Sequence, residues 1–153
     1  MVRLADMAPE AADHLRHLDC AGYTTTPWTT APPLSEARIA IVSTAALQRR
    51  DDPPFAVGEA GYRVIAADDA PGDLVMSHIS TNFDRTGFEQ DLNVVFPLDR
   101  LKELAAAGEI AGVANHHYAF MGSTPPQAMA PAARELAGLM RADGVNTVFL
   151  VPV

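Results

Sequence analysis

A chain of 153 residues, 48% hydrophobic and 20% charged, carries enough apolar material for one globular domain with its own core. Its formal net charge of -8 at pH 7 argues against nucleic acids and anionic membrane surfaces as partners, because both attract clustered Lys and Arg. No apolar run approaches the roughly 20 residues of a membrane span, the N-terminus lacks the apolar centre of a signal peptide, and a single cysteine excludes an intrachain disulfide. We therefore predict a cytoplasmic protein.

The chain is predicted to divide into an N-terminal helix and arm, residues 1–34, and an α/β domain, residues 35–153. Residues 8–23 have the apolar spacing of a helix, and Gly22 is suited to end it. The lone Cys20 falls within this segment and has no partner thiol, which favours a buried structural cysteine over a redox thiol.

The stretch 24–34 is rich in Thr and Pro and cannot form regular structure for long. It predicts an extended arm that joins the N-terminal helix to the α/β domain. Trp28, within this arm, is predicted to pack on a surface, either of this chain or of a neighbour.

The α/β domain is predicted from apolar runs and from stripes of Leu and Met at helical spacing. Predicted strands cover residues 37–44, 62–66, 73–80, part of 111–120 that runs into a histidine pair, and 145–153. Predicted helices cover residues 97–108 and 123–144, with Thr124 as N-cap, Pro125 as first residue and Gly144 after the end. This order predicts a three-layer α/β/α sandwich with a mostly parallel sheet of Rossmann-like or flavodoxin-like type.

Ligands of parallel sheets bind beyond the carboxyl ends of the strands, so the polar residues there are candidates for a site. Two such clusters are "SHISTNFD", residues 77–84, and "NHHYAFMGST", residues 115–124. Residues 122–125 could seat a carboxylate on backbone N–H groups at a helix N-terminus, although ordinary helix capping is the simpler interpretation. The GxSxG elbow of a serine hydrolase is missing.

The histidines in these clusters raise the question of a metal. His78, His116 or His117, and Asp84 would suit zinc or iron, but the spacings typical of metal ligands are absent. Adjacent histidines on a strand point to opposite faces. We therefore favour one buried histidine and one that lines a cleft, and we predict no metal.

Six segments of the chain, in order and spacing, resemble the selenoprotein B family of glycine, sarcosine, betaine and D-proline reductases. They are "PLSEARIAIVSTAAL", "PPF", "VMSHIS", "DLNVVFPLDRLKEL", "HHYAFMG" and "DGVNTVFLVPV". The resemblance runs from about Leu34 to Val153, and the N-terminal helix and arm resemble the lead-in of the shorter, D-proline-reductase-like members. It implies reductive cleavage of a C–N bond in a small amino acid or amine. It also implies a thiol electron donor and a partner reductase subunit with a pyruvoyl group.

The resemblance also suggests roles for individual residues. It implies that His78, His117 and Tyr118 lie near the selenium site as catalytic acid–base or substrate-orienting groups. The polar strand-end clusters, rather than the resemblance, supply the candidate substrate-binding residues Ser80, Asp84, His116, Ser123 and Thr124. This sequence departs from the family in having Ser80 where a histidine is frequent, and the replacement of the family's aspartate by Asp84 stays open.

In that family the final strand is followed at once by selenocysteine, whose codon, UGA, is ordinarily a stop. We therefore expect that this chain is the upstream part of a selenoprotein, cut by reading UGA as stop after Val153, and inactive by itself. A naturally short paralogue is the alternative. An apolar last strand and a Trp-bearing arm predict a homo-oligomer.

Two other functions stay open at this point. One is a non-catalytic α/β module that binds a small ligand or stabilises a complex. The other is a metal-dependent hydrolase that uses His78, His117 and Asp84.

Overall fold

The computed structural model describes residues 3–18, 22–80 and 84–153, and the chain forms two compact units, Met1–Thr30 and Ala31–Val153. Within the described residues, no helix is both long and apolar enough to cross a membrane.

The N-terminal unit contains a 3-10 helix, Leu4–Asp6, and helix α1, Pro9–Arg16. Helix α1 is shorter than predicted: it ends before His17, whose ring Nδ1 lies 2.9 Å from the Asp13 carbonyl oxygen at the helix end. The predicted stop at Gly22 is therefore wrong. The predicted burial of Cys20 lies outside the described residues.

The arm that follows has no helix or strand before residue 34. The side chain of Trp28 is 88% exposed. Its packing on a surface, of this chain or of a neighbour, therefore stays a prediction.

The larger unit is an α/β domain. Its strands are β1 (Arg38–Ser43), β2 (Leu47–Arg49), β3 (Tyr62–Ala66), β4 (Leu74–Met76), β5 (Gly112–Val113), β6 (His116–Phe120) and β7 (Thr147–Val151). Its helices are α2 (Thr86–Gln90), α3 (Leu98–Ala106) and α4 (Pro126–Ala142), with 3-10 helices at Leu34–Glu36, Pro71–Asp73 and Leu92–Val94. The main sheet has the order β3, β6, β1, β7, and β5 pairs with the start of β1 on the β6 side.

The predicted fold class is confirmed. In the main sheet, as far as the structure describes the chain, β5, β6 and β7 run parallel to β1, and β3 is antiparallel to β6. Along β6 the side chains alternate: Ala119 joins the core cluster of Leu101 on α3, whereas Phe120 joins the cluster of Leu136 on α4. The sheet therefore lies between α3 and α4, as a three-layer arrangement requires.

Strands β2 and β4 form a separate antiparallel pair. Neither β2 nor α2 is among the elements predicted from the sequence, and the predicted strand at residues 73–80 extends beyond the observed end of β4 at Met76. This second sheet bears on the position of His78, because residues 77–80, the His78 segment, follow β4 directly.

Helix α4 begins one residue later than predicted, at Pro126. Pro126 disfavours helical backbone at the residue before it, and Pro125 is extended with φ -56 and ψ 134. Thr124 is therefore not the N-cap; its hydroxyl donates instead to the Glu59 carbonyl, at 2.8 Å. The predicted residue after the helix is confirmed, because Gly144 has φ +72.

Strand β7 is the edge of the main sheet opposite β3, with β1 as its neighbour. Its central residues are exposed rather than buried as expected: Val148 to 40%, Phe149 to 45% and Leu150 to 69%. The cluster on the α4 side gathers residues of β1, β3 and β6, so this helix does not cover β7.

Candidate functional site

Three strand ends and one histidine meet at a single point of the α/β domain. A Cβ atom built on Gly122, just after β6, would lie 2.7 Å from the carbonyl oxygen of Thr44, which follows β1. It would also lie 2.8 Å from the carbonyl oxygen of Val153, beyond β7, and 2.9 Å from Nε2 of His78. This convergence at carboxyl strand ends is where a parallel sheet presents its ligands.

The end of β7 is held in place by Thr44. The Val153 N–H donates to the Thr44 hydroxyl at 2.8 Å, and that hydroxyl lies 3.3 Å from the Val153 carbonyl oxygen, to which it donates. The Thr44 N–H donates in turn to the Val151 carbonyl, at 3.0 Å. Both the position and the direction of the chain at Val153 are therefore fixed.

His78 is buried, with 5% of its surface exposed. Its Nδ1 accepts a hydrogen bond from the Ser80 N–H, at 3.1 Å, so the neutral ring has its proton on Nε2. Burial, and secondly the positive charge of Arg85, lower the pKa of His78 below its ordinary value. At pH 7 this side chain is thus a neutral imidazole, and its Nε2–H is a donor near Gly122.

Three hydrogen bonds hold the His78 segment in this position. The Arg85 guanidinium donates through Nη2 to the carbonyls of His78, at 2.7 Å, and Ser80, at 2.6 Å. On the other side, the Ser77 hydroxyl donates to Oε1 of the buried Gln48 of β2, at 2.6 Å. No sequence motif marks Arg85, Gln48 or Thr44, and sequence analysis assigned none of them to the site.

Arg85→Gln is expected to raise the pKa of His78 toward its ordinary value, because the nearby positive charge is removed and the segment is held less firmly. A titration of the His78 ring followed by NMR measures this shift. The matched control is Arg100→Gln, which removes a surface arginine paired with Glu103 at 2.7 Å and should leave the pKa of His78 unchanged. An equal titration curve in both variants would contradict this role of Arg85.

Of the predicted substrate-binding residues, Ser80 lies at this site and Ser123 follows Gly122 with its side chain exposed. Asp84 is exposed and accepts the Thr86 N–H at 2.9 Å. Hydrogen bonds from Thr86, first from its side chain and then from this N–H, lower the pKa of the Asp84 carboxyl. Thr124 is buried on the Glu59 carbonyl. The structure thus gives Asp84 and Thr124 structural contacts, and their roles in binding stay predictions.

The predicted carboxylate seat at the start of α4 is poor in donors. Pro125 and Pro126 have no N–H group, and the Thr124 N–H donates to the Met121 carbonyl at 3.3 Å. At the start of this helix, the N–H groups of residues 124–126 are therefore either absent or bonded within a local turn, and they do not form an anion site.

The histidine pair follows β5, as predicted, but it begins strand β6 and so does not lie at a carboxyl strand end. At about 3.3 Å per residue, His117 and Tyr118 are roughly 13–16 Å along the strand from Gly122. Both are buried, and they face opposite sides of the sheet. The structure therefore does not bring His117 or Tyr118 to His78, and their catalytic roles stay untested predictions.

The expected contrast between the two histidines is confirmed. His116 is exposed and lines a pocket of about 380 Å³, together with Val64, Tyr118, Leu139, Ala142 and Asp143. His117 is fully buried. The alternation of side chains along β6 accounts for this difference.

His117 has a structural contact that the sequence does not suggest. Its Nδ1 accepts the Ile41 N–H of β1 at 3.0 Å, and its ring meets the edge of Phe96 at 5.6 Å between centroids. The Ile41 N–H would otherwise need a carbonyl from the neighbouring strand, which is interrupted between β5 and β6. Burial, and then the charge of Lys102, lower the pKa of His117 to about 4.

The sequence model described as "Glycine/sarcosine/betaine reductase selenoprotein B" matches residues 25–153. The chain belongs to this family. It is also 29% identical over 120 residues to D-proline reductase subunit gamma of Acetoanaerobium sticklandii, covering 76% of this chain and 49% of the relative. The chain thus spans about half the length of that relative. No solved structure matches it.

These matches confirm the resemblance found in the sequence, and the matched range includes the whole convergence at Gly122. The alternative function, a metal-dependent hydrolase that uses His78, His117 and Asp84, is not supported by these matches. Among residues 3–18, 22–80 and 84–153, no group of three or more His, Cys, Asp or Glu could hold a metal ion. His117, one of the three metal ligands considered, is fully buried in the sheet, and its ring lies against Phe96.

Proposed function

We propose that this chain is a cytoplasmic reductase subunit for reductive C–N bond cleavage, with the redox residue joined directly after Val153. The substrate is a small amino acid or amine such as glycine, betaine, sarcosine or D-proline. Family membership supports the reaction class, and the name of the D-proline reductase relative supports this type of substrate. The observation that carries the proposal is the meeting of the Val153 carbonyl and His78 Nε2 beside Gly122.

The residues around the end of β7 fit a selenocysteine or cysteine in the next position. Thr44 fixes the direction of the chain, and the neutral ring of His78 offers an N–H donor to an anionic chalcogen. A selenolate in this place would supply a nucleophile that is ionised at neutral pH. The absent side chain of Gly122 leaves the room between these groups.

The overall reaction replaces the C–N bond by a C–H and an N–H bond, which consumes two electrons and two protons. We propose that a thiol donor supplies the electrons and that a pyruvoyl-bearing partner subunit activates substrates that are primary or secondary amines. The relative's name, which calls it a subunit, supports assembly with other chains. The exposed Val148, Phe149 and Leu150 of β7 favour a further contact, in a homo-oligomer or with a partner subunit.

Two experiments test this proposal. The first reads the codon after that of Val153: UGA with an open frame beyond it is expected, whereas UAA or UAG would contradict the proposal. The second assays the extended protein, combined with its partner subunits and a dithiol, for ammonia or amine release from glycine, sarcosine and betaine, and for ring opening of D-proline to a primary amine. The 153-residue chain is the control and should give none of these products. Failure of the extended protein on all four substrates would reject the substrate class.

A further inference from the structure

We infer that Gly122 is a positioning residue of this site: its missing side chain allows the His78 ring to reach the ends of β1 and β7. The inference rests on the proposed function in one respect, namely that the group placed beside His78 is the redox residue joined to Val153. The contact geometry itself does not depend on any activity.

The requirement for glycine is one of space and not of backbone conformation. Gly58, Gly108 and Gly144 have positive φ, whereas Gly122 does not. All three contacts of a Cβ at Gly122 would be shorter than 3.0 Å, a separation that real Cβ atoms essentially never show. Any larger residue at this position must therefore displace a neighbour.

The two carbonyl neighbours cannot yield easily. Strands β1 and β7 are paired over five residues, from Ile39 with Thr147 to Ser43 with Val151, and Thr44 binds Val153 beyond them. His78, in contrast, lies on a connecting segment after the short β4. A side chain at Gly122 is thus expected to push the imidazole away from the strand ends. The hydrogen bond that Nδ1 accepts from Ser80 would then be strained or lost.

The test compares Gly122→Ala with Gly138→Ala in the 153-residue chain. Gly138 lies in α4 with nothing within 4 Å of its Cβ position, so alanine there should leave His78 unchanged and maintain or raise the Tm. Gly122→Ala is expected to shift the His78 ring resonances and alter which ring nitrogen is protonated, as seen in two-bond 1H–15N spectra. It should also lower the Tm by roughly 5 °C or more. A folded Gly122→Ala protein with the wild-type His78 spectrum would overturn the inference.

A second pair of variants covers the case in which Gly122→Ala folds poorly. When His78→Ala has already removed the imidazole, the Tm lost through Gly122→Ala should be smaller than in the wild-type background. An equal loss in both backgrounds would show that Gly122 does not act through His78, and would reject the inference.

Measurements of activity distinguish a failure of this inference from a failure of the proposed function. In the extended protein, Gly122→Ala should lower kcat at least tenfold with little change in KM, whereas Gly138→Ala should not. If the wild-type extended protein releases no amine, the proposed function fails while the His78 spectra still decide the role of Gly122. Wild-type kcat in an active Gly122→Ala protein would overturn that role.

Discussion

His117→Ala is expected to lower the free energy of unfolding by about 3–4 kcal/mol, although no activity is assigned to this side chain. The change opens a cavity against Phe96 and leaves the Ile41 N–H in the core without its acceptor. A buried donor that loses its partner costs roughly 1–3 kcal/mol, and the lost packing accounts for the rest. Unfolding in urea at pH 7 measures the change.

The matched variant His117→Asn separates these two contributions. Asparagine places its side-chain oxygen where His117 has Nδ1, so the Ile41 N–H keeps an acceptor while much of the ring volume is lost. His117→Asn should therefore be about 1–2 kcal/mol more stable than His117→Ala. His116→Ala, an exposed change on the other face of β6, should stay within about 0.5 kcal/mol of wild type. Equal stability of the Ala and Asn variants would refute the role of the hydrogen bond.

The same side chain should produce a pH dependence of stability. The pKa of His117 is about 4 in the folded protein against 6.5 for a solvent-exposed histidine, so between these pH values the unfolded state binds the extra proton. Stability must therefore fall as the pH is lowered from 6.5 to 4, by about 3 kcal/mol from this group. The His117→Asn variant lacks this component, so its stability should change less over that range. Parallel curves for the two proteins would contradict the low pKa.

The fold could be predicted where the local pattern agreed with the tertiary structure. The apolar run around β1 and the segment of β3 were placed within a residue, because a buried or half-buried strand leaves a direct pattern in the sequence. Strand β2 was missed, since three residues that include the buried Gln48 have no apolar periodicity. The start of α4 was misjudged because two consecutive prolines outweighed the cap preference of Thr124.

The candidate site could be predicted only in part, for a different reason. The strand-end rule and the family resemblance both identified His78, a side chain with recognisable chemistry. The groups around it include the carbonyl oxygens of Thr44 and Val153 and the absent side chain of Gly122. No residue type in the sequence marks where a backbone carbonyl oxygen lies or where a missing side chain leaves room, so only the structure could reveal these features. The resemblance placed His117 and Tyr118 near the site, and nothing in the sequence corrected this, because the sequence does not show where β6 begins.

Replacement of His78 is expected to have the second large effect, a fall in the rate of the proposed reaction. Because Nδ1 accepts the Ser80 N–H, His78 can donate through Nε2 but cannot accept a proton there while it is neutral. In the extended, active protein, His78→Ala is therefore expected to lower kcat by about 10²–10³-fold, as the loss of a placed hydrogen-bond donor does elsewhere. Amine release under saturating substrate measures this effect.

His78→Gln distinguishes a donor from an acid–base catalyst. The glutamine amide N–H can occupy the place of Nε2–H, but it does not titrate near neutral pH. If His78 acts as a donor to the group after Val153, His78→Gln should stay within about tenfold of wild-type kcat, with no new pH dependence between pH 6 and 8. His14→Gln, an exposed change on α1, is the control and should leave kcat unaltered. Should His78→Gln be as slow as His78→Ala, the imidazole must transfer a proton, and its hydrogen bond with Ser80 must then break during turnover.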